Sequence, residues 1–260
     1  CFSNHGQNQP FSKTTFDAFL GGRLTLQQPA KGYRAGVDPV LLAAAVRAKA
    51  GQSVLELGCG TGAALFCLAT RVLGLALHGV EVQKNYANIC RANATANNID
   101  ATIWTADLRD LPSALRGLSF DHVMVNPPYF ERASRNPSQL PDREIAFAGD
   151  TATIDWINTA TRRLKPKGTL TIIQKADRLP DLFSAISDRL GAIHVHPITG
   201  RTGRAADRII LRAKKGGRAP FKLHAPVSLH AGPSHVADRE NYRPEIAAIL
   251  REGHDFYLAD

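Results

Sequence analysis

The sequence predicts an α/β protein in which helices cover both faces of a mostly parallel sheet. Short apolar runs typical of buried strands alternate with longer helical segments along most of the chain. A glycine-rich turn joins one strand to the following helix, and an asparagine followed by two prolines ends a later strand. Open sheets of this kind carry their chemistry at the carboxyl ends of the strands, where both features lie.

Composition limits the class of protein. The 260 residues are 44% apolar and 21% charged, as in an ordinary soluble globular protein. A net charge of +9 and a pI near 9.7 point to a polyanionic partner, with nucleic acid as the leading candidate. No apolar run approaches the roughly 18 residues of a membrane span, and Cys1–Gly6 carry no signal-peptide pattern. We therefore expect no membrane partner.

The cysteines indicate a reducing compartment. They show neither Cys-x-x-Cys spacing nor the density of a disulfide scaffold, which predicts free thiols and a cytoplasmic location. The set is Cys1, Cys59, Cys67 and Cys90.

We expect three parts within one domain: an amino-terminal flap over residues 1–50, a core over 51–215 and an extension over 216–260. Alternation in residues 16–34 predicts a hairpin that turns at Gly21-Gly22. Asp38-Pro39 then predicts the start of a helix over 40–48. Tyr33 and Arg34, in the loop between them, are predicted to close over a cofactor. A purely structural flap is the alternative.

A glycine loop follows the first buried strand, at residues 53–57. The loop is Gly58-Cys59-Gly60-Thr61-Gly62, and a helix over 63–73 comes next. Glycines here permit a tight turn and let a ligand approach the free N–H groups of the helix. The spacing is not the Gly-x-Gly-x-x-Gly of dinucleotide sites. Glu56, just ahead of the loop, would repel a pyrophosphate but suits an ammonium group, which favours S-adenosylmethionine over NAD.

Acidic residues also end the next two strands. Glu81 ends the strand at 78–82, where a carboxylate would bind a ribose diol, and a surface charge is the alternative. Asp107 follows the strand at 101–105 and could accept a hydrogen bond from the amine of the cofactor adenine, or cap a turn. Val82 and Leu108, their neighbours, complete the predicted cofactor-binding set. A helix over 84–96, ended by Asn97-Asn98, separates these two strands.

The strand at residues 120–125 ends at Asn126-Pro127-Pro128-Tyr129. Because prolines restrict the backbone, Asn126 is held stiffly at the carboxyl end of that strand. A planar amine is a poor nucleophile because its lone pair is delocalised into the ring. The Asn126 side-chain oxygen and the Pro127 carbonyl could each accept one N–H, while Tyr129 stacks on the ring. We predict these four residues to be catalytic; a loop plugged by tyrosine is the alternative.

Beyond this motif, residues 131–150 are predicted to form a loop on the substrate side. The other predicted elements are helices at 153–164 and 179–190, a short helix that follows Pro244 and ends the stretch 241–251, a turn at 165–168, and strands at 169–173, 192–198 and 208–213.

A basic segment covers residues 199–222, with eight basic residues against one acid. We predict that it contacts RNA, and a solvated basic hairpin is the alternative. The predicted contacts are Arg201, Arg204, Arg208, Lys214 and Lys215. The histidines show no regular ligand spacing, so the sequence predicts no metal.

The combination of motifs resembles the class I S-adenosylmethionine-dependent methyltransferases. The residues that carry the resemblance are the run at 55–62, Glu81, Asp107 and the motif at 126–129. Within that superfamily, Gln28-Pro29 and the run at 32–42 resemble the bacterial tRNA(Val) adenine-N6 methyltransferases. The resemblance implies a Rossmann-like seven-stranded sheet whose last strand is antiparallel. It also implies a cofactor across the glycine loop and a flipped anticodon-loop adenine facing Asn126.

The expected activity is methyl transfer to the N6 amine of an adenine in RNA, most directly tRNA, by a monomer. A protein glutamine-N5 methyltransferase of release factors is an alternative, because that side-chain amide is also a planar NH2 group. A DNA adenine-N6 methyltransferase and a catalytically silent RNA-binding protein are the others. Base extrusion is cheaper from a single-stranded RNA loop than from duplex DNA, which favours RNA.

Overall fold

One mixed sheet organises the part of the chain that this computed structural model describes, residues 13–128, 152–186, 188–232 and 241–256. A separate two-stranded hairpin precedes the sheet. The strands are β1 (Thr14–Phe19), β2 (Leu24–Pro29), β3 (Ser53–Leu57), β4 (Ala76–Glu81), β5 (Ala101–Thr105), β6 (Phe120–Val125), β7 (Leu164–Lys175), β8 (Leu190–Arg201), β9 (Arg208–Lys215), β10 (Lys222–Leu223) and β11 (Val227–His230).

Helices connect most of these strands. They are α1 (Val37–Ala45), α2 (Ala63–Arg71), α3 (Lys84–Ala96), α4 (Ser113–Arg116), α5 (Thr153–Arg163), α6 (Leu179–Ala185) and α7 (Pro244–Glu252). Within the part of the chain that the structure describes, every helix falls short of the length and apolar character needed to cross a bilayer.

The sheet order is β5-β4-β3-β6-β7-β9-β8, with β9 antiparallel to both of its neighbours. This confirms the predicted seven-stranded sheet with an antiparallel last strand. The extension adds two short strands that were not predicted. Both of them, β10 and β11, pair in parallel with β8. Their short length and weak alternation gave no strand signal in the sequence.

Several predicted boundaries were wrong. Helix α1 begins at Val37, so Asp38 lies inside its first turn, where its buried carboxylate pairs with Arg208 at 2.7 Å. The predicted turn at 165–168 is instead a bulge within β7, because Leu164 already pairs with Phe120 before the register shifts. The helix predicted over 179–190 ends at Ala185, because Leu190 joins the sheet opposite Lys215.

Apolar side chains cover both faces of the sheet, as predicted. One buried cluster gathers residues of the hairpin, α1, α2, α3 and α7, and the other gathers residues of α4, α5 and α6. The first cluster joins Leu24 of the flap, Leu65 of the core and Ile246 of the extension. Leu24, Leu65 and Ile246 therefore pack in one apolar cluster, and the division of the chain into a flap, a core and an extension stays a prediction.

Candidate active site

The strand register aligns the predicted site residues along one edge of the sheet. Leu57 of β3 pairs with Val80 on one side and with Val125 on the other, so Gly58, Glu81 and Asn126 follow neighbouring positions. Asp107 lies one strand further, beyond β5. Because neighbouring strands lie about 4.8 Å apart, Asp107 and Asn126 are separated by roughly 14 Å along this edge. An extended ligand could therefore span from one to the other.

The glycine loop takes a backbone conformation that requires glycine. Gly58, Gly60 and Gly62 have φ values of 69°, 54° and 91°, which other residues rarely adopt. A Cβ atom on Gly62 would lie 2.2 Å from the Phe66 ring, whereas a Cβ atom on Gly60 would meet nothing within 4 Å. Open space above Gly60 leaves room for a ligand against the backbone. The Cys59 side chain is buried in the core, with its sulfur 3.9 Å from that of Cys90.

Two buried carboxylates, those of Glu56 and Glu81, accept hydrogen bonds from the backbone of the glycine loop and of the helix that follows it. Glu56 accepts a hydrogen bond from the Leu65 N–H at 3.0 Å, which caps the start of α2. Glu81 accepts hydrogen bonds from the N–H groups of Gly60 at 3.0 Å and Gln83 at 2.8 Å. Burial raises the pKa of Glu56 well above its ordinary value, with the charge of Glu81 adding to the effect. A ligand ammonium group next to Glu56 would restore its charged form.

The third acidic residue is already bound to an arginine. Asp107 forms an ion pair with Arg109 at 2.7 Å and also accepts the Arg109 backbone N–H at 2.8 Å. The hydrogen bonds from Arg109 lower the pKa of Asp107, which keeps the carboxylate ionised and able to accept further donors. Of the adjacent residues in the predicted cofactor set, Val82 is exposed and Leu108 is buried.

The structure brings Asn126 and Tyr33 together. The Asn126 side-chain amide donates a hydrogen bond to the Tyr33 hydroxyl at 3.4 Å. In the same motif, the Pro127 carbonyl accepts a hydrogen bond from the buried Gln174 side chain at 3.5 Å. Pro128 is exposed, and Tyr129 lies outside the described residues. Both predicted acceptors of the motif are thus oriented by neighbouring side chains.

Tyr33 is fixed by its backbone as well. Its N–H donates to the Tyr86 hydroxyl at 3.1 Å. Desolvation of the Tyr33 hydroxyl, followed by the negative charges of Glu56 and Asp38, raises the pKa of Tyr33 to about 12. The hydroxyl therefore stays protonated throughout the physiological pH range. Half of the Tyr33 surface remains exposed, so the ring borders the open side of the site.

Arg34, the other flap residue predicted to bind the cofactor, engages the hairpin. Its guanidinium pairs with Asp17 at 2.6 Å and donates to the Thr15 hydroxyl at 2.7 Å. Gln28 also binds Asp17, at 2.6 Å, and its side-chain oxygen accepts the Ala35 N–H at 2.7 Å. These contacts fold the loop back onto β1 and β2, and that fold positions Tyr33.

Sequence reasoning missed Asn93, which joins the flap to the glycine loop. Its side-chain amide donates to the carbonyl of Gln27 at 3.0 Å and to that of Thr61 at 2.9 Å, and its oxygen accepts the Gln27 N–H at 2.7 Å. Asn93 is only 2% exposed. Asn97, one turn later, binds the backbone of Thr25 in the same manner without reaching the loop. A polar residue on the buried face of α3 was the available signal.

The predicted RNA-binding residues lie at opposite ends of the strands, some at the end that carries Asn126 and some at the other end. Arg208 begins β9 opposite Lys175 and therefore lies at the edge that carries Asn126, whereas Lys214 pairs with Thr169 near the other end. Because β9 runs eight residues, these ends are separated by roughly 20 Å. Lys215 donates to the Leu164 carbonyl at 2.7 Å. The basic segment is thus not one continuous surface.

At the edge that carries Asn126, the arginines differ in their surroundings. Arg201 donates to the Ala231 carbonyl at 2.6 Å, and Arg208 pairs with Asp38 and Asp207. Arg204 is exposed and lines an open cleft of about 390 Å³. Hydroxyl and cationic groups also line this cleft, from Thr199, Thr202, Ser228 and Arg243.

Comparison with known proteins identifies the family. The model of the methyltransferase small domain matches residues 35–199. A tRNA1(Val) (adenine(37)-N6)-methyltransferase of Porphyromonas gingivalis is 32% identical over 198 residues, which cover 70% of this chain and 76% of that protein. A protein of the same name from Haemophilus influenzae is 24% identical over 253 residues, covering 95% and 99% of the two chains.

Solved structures agree on the fold. A predicted O-methyltransferase, Atu636 from Agrobacterium tumefaciens, has a TM-score of 0.68 at 24% identity and covers 84% of this chain and 98% of that one. The Thermus thermophilus 16S rRNA N2 G1207 methyltransferase in complex with AdoMet and guanosine has a TM-score of 0.55 at 21% identity, with coverage of 78% and 50%.

The glycine loop and the acidic strand ends fit S-adenosylmethionine. Open space over Gly60 and the row of carboxylates ending at Asp107 match the shape and the donor groups of this cofactor. The matched family model is that of a methyltransferase domain, so the protein is a methyltransferase. From the extent of the family match, the chain belongs to the methyltransferase small domain family.

Proposed function

We propose that this enzyme methylates the exocyclic N6 amine of an adenine in tRNA, with the anticodon loop of tRNA(Val) as the first substrate to test. The position of Asn126 carries this proposal. Asn126 follows β6 beside the glycine loop, and its amide is oriented by the Tyr33 hydroxyl. The curated relatives from Porphyromonas gingivalis and Haemophilus influenzae bear the name of this activity.

The chain activates the amine by removing its planarity. With the Asn126 amide nitrogen turned toward Tyr33, the side-chain oxygen is left to face the substrate. This oxygen and the Pro127 carbonyl each accept one N–H of the amine and localise its lone pair toward the methyl group. Gln174 holds the Pro127 carbonyl through one lone pair, and a carbonyl oxygen has a second. Tyr129 supplies the stacking surface for the base.

The rest of the catalysis depends on positioning the cofactor relative to the target amine. S-adenosylmethionine supplies a methyl group that is activated by a positively charged sulfur. Glu56 and the loop at 58–62 would hold the methionyl end, Glu81 the ribose and Asp107 the adenine. The roughly 14 Å between Asp107 and Asn126 would let one extended ligand reach from Asp107 to the target amine. No strong base is required, because the amine loses its extra proton readily after it is methylated.

The edge that carries Asn126 is also the edge we assign to RNA. Arg204 is exposed there, and Arg201 and Arg208 flank it. Lysines and arginines of this kind neutralise phosphates and fix the register of the RNA without reading its sequence. Lys214 and Lys215 were also predicted contacts, but a substrate would have to wrap around the sheet to reach them together with Asn126, so we place the RNA at the end of the strands that carries Asn126.

Substrate identity is tested by offering the protein three classes of substrate in separate reactions. The protein is incubated with labelled S-adenosylmethionine and, separately, with fractionated tRNA, duplex DNA and release-factor protein, and the product is digested and identified. We expect N6-methyladenosine from the tRNA fraction alone. Label in glutamine would support the glutamine-N5 alternative, and label in DNA would support a DNA methyltransferase. RNA binding without any transfer would support a silent RNA-binding protein. A monomeric state and a cytoplasmic location stay predictions.

A further inference from the structure

Three histidines outside the methyltransferase site lie close together at β8 and β10, on the side of the sheet farthest from β5. His194 and His196 are two positions apart on β8, so both side chains lie on the same face. His224 follows β10, which pairs with β8, and its N–H donates to the Val195 carbonyl at 2.9 Å. Sheet pairing therefore fixes the third histidine beside the other two.

The three imidazoles converge closely. The nearest nitrogens of His194 and His224 are 3.0 Å apart. One ring nitrogen from each of the three residues lies within 4.8 Å of the others, and this is a candidate metal-binding cluster among the described residues. Strands β9 and β7 lie between β8, which carries two of these histidines, and β6, which ends just before Asn126, so the cluster is separate from the methyl-transfer site.

His196 has an unexplained buried nitrogen. The residue is 2% exposed, and its Nε2 atom has no hydrogen-bond partner among the described residues. A buried polar atom without a partner is destabilising, and an unseen ion is one of the few explanations for it.

The ligand set selects the class of metal. Three imidazole nitrogens with a fourth position open suit Zn²⁺, whose nitrogen ligands lie about 2.0–2.1 Å from the metal and therefore about 3.3 Å from one another. Arg212 and Arg47 also face His196, so a cation held only by charge is disfavoured. Borderline metals that bind imidazole strongly, such as zinc, nickel and copper, are favoured over magnesium or calcium.

We propose that His194, His196 and His224 bind Zn²⁺ through three imidazole nitrogens, with water in the fourth position, and that the ion fastens the short strand β10 to β8. The rings of His196 and His224 are stacked at an interplanar angle of 12°. Binding therefore rotates at least one ring about its Cβ–Cγ bond, a torsion with broad energy wells. The ion takes the place of the missing partner of His196 Nε2.

The test is a zinc titration of the full chain. Protein stripped with a chelator is titrated with Zn²⁺ against a chromogenic zinc indicator. We expect one equivalent to bind, with the affinity falling by at least about tenfold in His224→Asn and in His194→Asn, since loss of outer-sphere partners alone costs that much. His254→Asn, an exposed histidine outside the cluster, is the matched control and should bind as the unmodified chain does.

If either variant fails to fold, the absorption spectrum of Co²⁺ bound to the unmodified protein still identifies the ligand atoms. Co²⁺ bound to the unmodified protein should show the visible bands of nitrogen coordination without the ultraviolet charge-transfer band of a thiolate. The three buried thiols at Cys59, Cys67 and Cys90 are the competing soft ligands. A thiolate band, unchanged zinc affinity in folded His224→Asn, or no stoichiometric zinc binding would each overturn the proposal.

Discussion

The Tyr33 hydroxyl and the Asn126 side-chain amide are joined by a hydrogen bond of 3.4 Å. This contact links the flap to the end of β6, ninety-three residues further along the chain. It turns the amide nitrogen of Asn126 toward the flap and its oxygen away. In the proposed transfer the flap would therefore have a chemical role, because it orients the Asn126 oxygen that would accept the N–H of the substrate amine.

Removal of the Tyr33 hydroxyl should slow methyl transfer without weakening cofactor binding. In Tyr33→Phe, the Asn126 amide loses the partner that orients it, and we expect kcat on tRNA to fall by about tenfold. Cofactor affinity, measured by calorimetry, should stay within about twofold because the ring remains. Tyr242→Phe, in the extension, is the control and should leave kcat unchanged. A large loss of cofactor affinity would instead support direct contact between Tyr33 and the cofactor.

Asn93 should couple the flap to the cofactor loop. Asn93→Ala leaves buried groups of Gln27 and Thr61 without their partner, which should lower the free energy of unfolding by about 2–4 kcal/mol. It should also weaken cofactor binding by about tenfold, because the Thr61 carbonyl loses the amide donor that holds the loop in place. Asn97→Ala detaches the hairpin at Thr25 only.

The Asn97→Ala variant separates these two effects. It should lower stability and leave cofactor affinity nearly unchanged when both are measured by denaturation and calorimetry. Equal losses of cofactor affinity in the two variants would show that the hairpin as a whole, and not the contact with Thr61, supports the loop.

Arg204 and Lys214 provide a matched test of the RNA-binding edge. Both are exposed, and each substitution by alanine removes one positive charge. Arg204→Ala should weaken tRNA binding and reduce the slope of log affinity against log salt by about 0.7–0.9, the value for one phosphate contact. Lys214→Ala should change neither, because Lys214 lies at the opposite edge. Equal effects would indicate that RNA wraps both edges.

The pH dependence of stability should reveal His122. Burial lowers its pKa from 6.5 to about 4 in the folded state. Between those values the unfolded chain binds the proton more tightly, so stability falls as the pH decreases from 6.5 to 4 and this contribution is fully lost below pH 4. The loss is at most about 3 kcal/mol. Denaturation of His122→Asn across this range should give a shallower slope, and an identical slope would contradict the assignment.

Much of the fold and of the site was predictable because both depend on local patterns. Continuous apolar runs predicted β3, β5 and β6 to the residue, and the acidic strand ends predicted the row from Gly58 to Asp107. Parallel pairing then brought them to one edge. Contacts between distant segments left no such pattern. The pairing of Tyr33 with Asn126, the bridge through Asn93 and the convergence of His194 with His224 arise only when separate elements pack.

Element boundaries failed where tertiary pairing overrode local signals. Pro166 and Gly168 are turn-forming residues, yet the chain before them already pairs with β6 as part of one bulged strand. Likewise, the basic segment at residues 199–222, which contains β9, is continuous in the sequence. In the structure, Arg208 and Lys214 lie near the two ends of the extended strand β9, so they are far apart.

Single-turnover transfer by Asn126→Ala tests the central claim most directly. Protein in excess is mixed with unmodified tRNA(Val) and S-adenosylmethionine, and N6-methyladenosine is quantified by mass spectrometry, with cofactor affinity measured in parallel. We predict that transfer falls by about a thousandfold, as it does when one oriented transition-state contact is removed, while cofactor affinity stays within about twofold. Transfer at the rate of the unmodified enzyme would contradict the role of Asn126 as the acceptor that activates the amine.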